Sequence, residues 1–293
     1  MQHTCHNTAT MKNTNMKKAA GSVLTGTIRD ALWIWGHDAG CYHRHANNCW
    51  KLPGLSRMTP AEAAFYLGIP NIMMVRFGNQ PAPPFRQYAL PMRPLRRMVW
   101  SIIGDLSSTD NDRQPDLQEI IALSEEFPNL TGALMDDFFR NDPVAPGRFS
   151  ADKVADFRRQ LHAVSRPLEL YVVVSAHDLD LPLRHHLDVV DAITFWTWHA
   201  KDLAVLERNV CRLEQLAPQP RKLLGLYLWD FGACAPVPMA AMEHQCRLGL
   251  AWLRSGRVAG LVFLASCLAD LDLETVAYAR RLIEQVGDEP LPH

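Results

Sequence analysis

The chain has 293 residues, 48% of them hydrophobic, enough to bury a large core either as two ordinary domains or as one large α/β domain. Thirty basic against 31 acidic residues leave a net charge of -1, so the electrostatic footprint expected of a nucleic-acid or anionic-membrane partner is missing. Seven cysteines, odd in number and in no CxxC pair, argue against a disulfide framework and a zinc ribbon and read as reduced thiols.

Residues 1–28 are polar, with Lys12, Lys17 and Lys18 but no apolar run suited to a signal peptide, and they read as a disordered tail. No later segment approaches the ~20 apolar residues of a membrane span, so a cytoplasmic chain is expected, its folded part covering 29–293. Ala31 to Trp35 forms a first strand, followed by a turn at Gly36-His37-Asp38-Ala39-Gly40 and a long loop rich in His, Asn and Cys. Thr59-Pro60-Ala61-Glu62 starts a helix, with an N-cap hydroxyl, proline at the first helical position and a glutamate placed for a capping box. Asn71 to Phe77 is a second strand; a proline-rich loop and an irregular helix broken by Pro91 and Pro94 lead to a third, Met98 to Ile103. A helix over Asp116 to Phe127 precedes the fourth strand, Gly132 to Met135, which runs into Asp136-Asp137-Phe138-Phe139.

Ser150 caps the next helix, whose Val154, Phe157, Leu161 and Val164 step by three and four. Further strands follow at Leu168 to Val174, Ala192 to Trp196, Leu223 to Leu228 and Val258 to Leu264, separated by helical stripes such as Leu203, Leu206, Val210 and Leu213. An amphipathic helix from Leu273 to Val286 closes the chain. Eight strands, each followed by a helical segment, predict a single (β/α)8 TIM barrel. The competing open doubly wound sheet loses its main support, because no GxGxxG follows the first strand and no GxxxxGK[ST] occurs.

In such a barrel the site lies at the carboxyl ends of the strands. Those ends carry His37 and Asp38, Arg76, Asp105, Asp136 and Asp137, His177 and Asp178, Trp198 and His199, Trp229 and Asp230, and Ser266. Because side chains alternate along a strand, only one of Asp136 and Asp137 is expected to face the mouth, the other supporting it from the wall. Six of the eight tryptophans, Trp33, Trp35, Trp100, Trp196, Trp198 and Trp229, lie in or just after a strand. Trp33 or Trp35 and Trp100 are expected to fill the barrel; Trp198 and Trp229 serve either as packing or as a ligand platform.

Carboxylates beside aromatic faces suit a carbohydrate, whose C–H faces stack on rings while its hydroxyls bond to Asp, Arg and His. Two carboxyl groups can cleave a glycosidic bond, one protonating the leaving oxygen and the other acting as nucleophile or activating water. On that logic Asp136, Asp137 and Asp230 are the catalytic candidates, since strands four and seven face each other across the mouth. His37, Asp38, Arg76, Asp105, His177, Trp198, His199 and Trp229 are the substrate-binding candidates. Here the sequence resembles the broad group of glycoside-hydrolase-like TIM barrels in which an apolar fourth strand ends in Asp-Asp-aromatic, as in Leu134-Met135-Asp136-Asp137-Phe138. The resemblance implies a hydrolase acting on a small-molecule or oligosaccharide substrate; no cofactor is expected, since the histidines are spread over strands one, five and six without a chelating motif. It departs from the common retaining pattern in having no glutamate at the ends of strands four and seven, which implies an aspartate-based enzyme or a sugar-binding barrel without catalysis.

The rival class is a metal-dependent hydrolase or isomerase using His37, Asp38, His177, His199 and the aspartates. No HxH closes the first strand, no HExxH occurs and His185-His186 falls on a helix, so no metal ligand is assigned. A nucleophilic Ser266 lacks a GxSxG elbow, and nothing in the sequence singles out Cys41 or Cys267 as nucleophile.

Overall fold

A computed structural model describes residues 26–291. Eight parallel strands close into a barrel: β1 (Leu32–Gly36), β2 (Asn71–Met74), β3 (Arg97–Ile103), β4 (Leu130–Met135), β5 (Glu169–Ser175), β6 (Ala192–Trp196), β7 (Arg221–Tyr227) and β8 (Gly260–Leu264). Each strand pairs with its sequence neighbours, and β8 closes on β1. The strands are almost continuously buried, as parallel strands covered on both faces must be.

The main covering helices are Pro60–Leu67, Leu117–Glu126, Ala151–His162, Leu206–Leu216, Met239–Arg254 and Glu274–Val286. Local chemistry sets their starts. Thr59 accepts from the Glu62 N–H while the Glu62 carboxylate accepts from the Thr59 N–H at 2.8 Å, and Ser150 accepts from the Lys153 N–H. The crossovers after β2 and β5 are reduced to short turns, Arg86–Met92 and Ala176–Leu187, the first of them carrying Pro91. Among the described residues no helix is long and apolar enough to cross a membrane.

The barrel interior is layered. At the amino-terminal end Arg97 lies over the Trp33 ring, and Arg221, Glu169 and the Tyr171 hydroxyl form a polar plug. Above it Trp35 and Trp196 meet edge to face at 5.1 Å, and the Trp196 indole donates to Thr194 at 2.9 Å. Trp33 and Trp35 therefore point inward, as expected. Trp100 does not: successive strand residues alternate, and its ring stacks on Phe85 of the β2 crossover at 4.9 Å, outside the barrel.

Of the expected tail, residues 1–25 lie outside the described residues, as does Cys5. Thr27 bridges to Pro290 and Ile28 is fully buried, so the chain is already packed on the barrel before residue 29.

Candidate active site

A cavity of about 550 Å³ opens at the carboxyl ends of the strands. Its wall has two halves. Consecutive strand ends β3, β4 and β5 supply Asp105, Asp136, Asp137 and Asp178, with Ser107, Ser175 and His177 beside them. The other half is aromatic, with Trp35, Trp196, Trp198 and Tyr227 from β1, β6 and β7 and Tyr42, Trp50, Phe77 and Phe231 from the loops.

Asp136 continues β4 by one residue, its N–H donating to the Ile103 carbonyl at 2.9 Å. The backbone then turns sharply, with Asp137 at φ 40°, a left-handed conformation that Asp tolerates better than most residues. This turn breaks the expected alternation. Both carboxyl groups consequently reach the cavity, and the Asp137 N–H swings back to donate to Asp136 Oδ1 at 2.9 Å. Asp136 is 7% exposed, and its second oxygen has no partner among the described residues. Burial, then the neighbouring carboxyls of Asp137 and Asp105, push it well above the usual carboxylate range, against the Asp137 N–H and the Arg148 charge. Asp137 lies open at the rim, one oxygen accepting from the Leu106 N–H at 3.2 Å. The concave wall around it, with Asp105 and Asp178, raises it too.

Asp105 is committed to the protein. Its oxygens accept from the Gly78 N–H, the Ser107 N–H and both the Ser107 and Ser108 hydroxyls, which fixes the loop after β3. Asp178 caps its own turn through the Ser175 N–H at 2.7 Å, and burial raises it above the ordinary range. His37 forms part of the floor. Its Nδ1 lies 2.9 Å from the Val75 carbonyl and its Nε2 accepts from the Trp35 indole at 2.9 Å, so the ring is a neutral Nδ1–H tautomer; burial lowers its pKa to about 4. His177 and Trp198 also line the cavity, Trp198 being 37% exposed.

Five expected site residues lie elsewhere. Asp230 is outside the cavity lining, and its two oxygens accept from the Ala200 and Ala233 N–H groups at 3.0 and 2.9 Å, tying the β6 and β7 loops together. Strand seven thus presents the Tyr227 phenol, and the carboxyl couple across the mouth is not what the cavity offers. Arg76 is 1% exposed and holds Asp116 at 2.6 Å, Asp110 and the Asn79 carbonyl behind the wall. Trp229 is buried and donates to the Trp50 carbonyl at 3.1 Å, which positions Trp50 without facing the cavity. The His199 ring covers Gly232, and Asp38 is half-buried beside Arg44, both off the lining. Ser266 is locked to the His37 backbone by two bonds of 3.0 Å, and the Cys41 and Cys267 sulfurs lie 3.8 Å apart in the core behind Tyr42. Among the described residues no group of three or more His, Cys, Asp or Glu side chains is arranged to hold a metal ion.

The site residues that the sequence reading missed are mostly aromatic: Tyr42, Trp50, Phe77 and Tyr227. Tyr227 had a legible signal, since it ends β7, whereas Tyr42 and Trp50 are placed by a loop of no regular pattern. Burial and then the Asp137 and Asp136 charges push the Tyr227 phenol far up, so it keeps its proton as a donor.

Neither a protein-family model nor a curated protein matches the chain. Solved structures match its fold. Family 51 α-L-arabinofuranosidase AbfB from Bifidobacterium longum aligns at 10% identity over 93% of this chain and 76% of that one, with a TM-score of 0.54. A family GH18 chitinase from Cycas revoluta aligns at 12% over 86% and 99% with a TM-score of 0.53, and a GH18 chitinase from Pseudoalteromonas aurantia at 9% over 87% and 99% with 0.52. At these identities the likeness shows the (β/α)8 barrel fold.

Proposed function

We propose that the protein is a glycoside hydrolase in which Asp136 is the general acid and Asp137 its partner carboxylate. A glycosidic oxygen is a poor leaving group until it is protonated, and the acid that does this must hold its proton near neutral pH. The observation that carries the reading is Asp136 itself: a buried carboxyl among like charges, raised well above its usual range, with one unpartnered oxygen in a cavity walled by rings. Asp137, at the rim with one oxygen unengaged, is the group water and substrate reach; it attacks the anomeric carbon or activates the water that does. Asp105 is held by four donors and supplies fixed negative charge to that exchange. Trp198, Trp50 and Phe231 offer ring faces to the sugar's C–H surface, and Tyr227 offers a phenol to its hydroxyls. The fold shared with glycoside hydrolases agrees with this reading.

The test is turnover on a panel of aryl glycosides by the parent, Asp136→Asn and Asp137→Asn. Each variant is expected to lose about 10²–10⁴-fold in kcat, the usual worth of a positioned acid or base, while its circular dichroism stays native. Parent-like turnover in both variants would remove this strand end from the mechanism.

A further inference from the structure

The charge of the cavity wall points to the kind of sugar. Besides Asp136, which holds its proton, three aspartates line it, Asp105, Asp137 and Asp178, with neither lysine nor arginine among the lining residues; His45 and His177 are its imidazoles besides His37, His177 Nε2 lying 3.5 Å from Asp178 Oδ1. Arg148 bears on Asp136 and Asp137 electrostatically but turns its guanidinium to the Gly104 carbonyl at 2.7 Å and the Asp112 carboxylate at 3.0 Å, leaving 1% of its side chain exposed. His37 is fixed as a neutral ring by the indole donor on Nε2. Facing the acids, the Tyr42, Trp50 and Phe231 rings lie 5.1–5.3 Å apart in mutual edge contact, and Trp198 and Tyr227 extend this wall to Phe231 at 5.8 and 5.6 Å.

A carboxylate in a low-dielectric concavity repels an anionic ligand and leaves a neutral one to satisfy an unpaired oxygen by itself. A cation between carboxylates and aromatic faces gains from both, since ring faces carry negative quadrupole charge. The cavity-facing oxygen of Asp136, which no described residue engages although the residue is 7% exposed, shows that the acid cluster is not a self-satisfied surface network. We propose that the substrate is an amino sugar with a free ammonium group, a de-N-acylated hexosamine oligomer, whose nitrogen is held between the Asp137 and Asp178 side and the aromatic wall. Uronates, sialic acids and sugar phosphates are excluded by the same wall. The inference rests on the glycoside hydrolase reading for the sugar itself, but charge preference is separable from cleavage.

Four probes decide it: chitosan oligosaccharides, chitin oligosaccharides, cello-oligosaccharides and oligogalacturonates, titrated into the full chain near neutral pH and followed by the fluorescence of the cavity tryptophans. Chitosan oligomers are expected to bind at least about tenfold more tightly than the chitin and cello series, with affinity falling as salt rises, and oligogalacturonates not at all. Asp178→Asn should remove most of that preference, and the turn stays capped because Asn keeps an acceptor for the Ser175 N–H. Equal or tighter binding of the neutral or anionic oligomers, or binding of none of the four, would overturn the inference. Release of reducing ends is scored separately. Neutral sugars cleaved without chitosan preference would overturn the inference and leave the hydrolase reading standing; selective chitosan binding without cleavage would support the inference and sink the hydrolase reading.

Discussion

Two buried residues at the mouth give opposite pH signatures, and the pair can be read in an unfolding experiment. His37 is neutral in the folded protein, its pKa lowered from 6.5 to about 4, so the folded state binds fewer protons than the unfolded one between those values. Stability from this residue is full above 6.5 and lost as pH falls toward 4, by up to about 3 kcal/mol. Asp136 works the other way. Its raised pKa means that the folded state holds a proton the unfolded chain has released, so stability falls as pH rises out of the ordinary carboxylate range. Asp136→Asn should therefore melt higher than the parent at neutral pH, with the gain shrinking toward zero as pH approaches 3.8. A melting temperature equal to or below the parent's at neutral pH would mean that the carboxyl is not strained by burial and like charge. Asp137 adds a backbone constraint: Asn tolerates its left-handed φ, whereas Asp137→Ala should cost a further ~1 kcal/mol.

At the scale of elements, the cavity floor depends on a close approach between strands. An added Cβ at Gly225 in β7 would meet the Trp196 ring at 2.0 Å, so Gly225→Ala must push that indole out of its place against Trp35. Overpacking of this kind costs ~1–3 kcal/mol, and the variant should lose ligand-induced tryptophan fluorescence change along with stability. Arg76 joins the β2 end to the helix that starts after Asp116, and Arg76→Met should cost about 3 kcal/mol or more in chemical denaturation by leaving Asp116 without its buried partner. Such elements mark what the sequence makes legible. Apolar runs ending in polar residues locate all eight strands and hence the mouth, because the middle of a parallel strand covered on both faces is mostly apolar. Which strand-end residue faces the mouth is set by turns just beyond the strand. The left-handed Asp137 and the loop-locking bonds of Asp230 depend on backbone geometry that a two-residue period does not encode. The aromatic half arises from a loop docked from far along the chain, as in Trp50 held by Trp229, so its role follows from tertiary contact.

For the molecule as a whole, the barrel is closed at its amino-terminal end by the junction of the first and last described segments. Thr27 pairs with Pro290, the Ile28 N–H donates to the Glu289 carbonyl at 2.9 Å and the Leu291 N–H to the Gly26 carbonyl at 2.9 Å. A chain beginning at Gly26 is expected to melt with the full-length protein, whereas one beginning at Leu32 should be destabilised by about 2 kcal/mol or more through loss of the buried Ile28 side chain and its backbone partners. Thermal melts of the two truncations side by side separate these outcomes. With that end plugged by Arg97, Glu169, Tyr171 and Arg221, the cavity lies at the opposite mouth, where three adjacent strands carry acids and β1, β6 and β7 carry rings.

The central claim, that Asp136 donates the proton to the leaving oxygen, is tested most directly by comparing Asp136→Asn with the parent on aryl glycosides of graded leaving-group acidity. A general acid matters most when the departing oxygen is basic. The variant should lose ~10²–10⁴-fold on the poorest leaving groups and far less on the most acidic ones. A loss that is uniform across the series, or absent from it, would contradict the assignment.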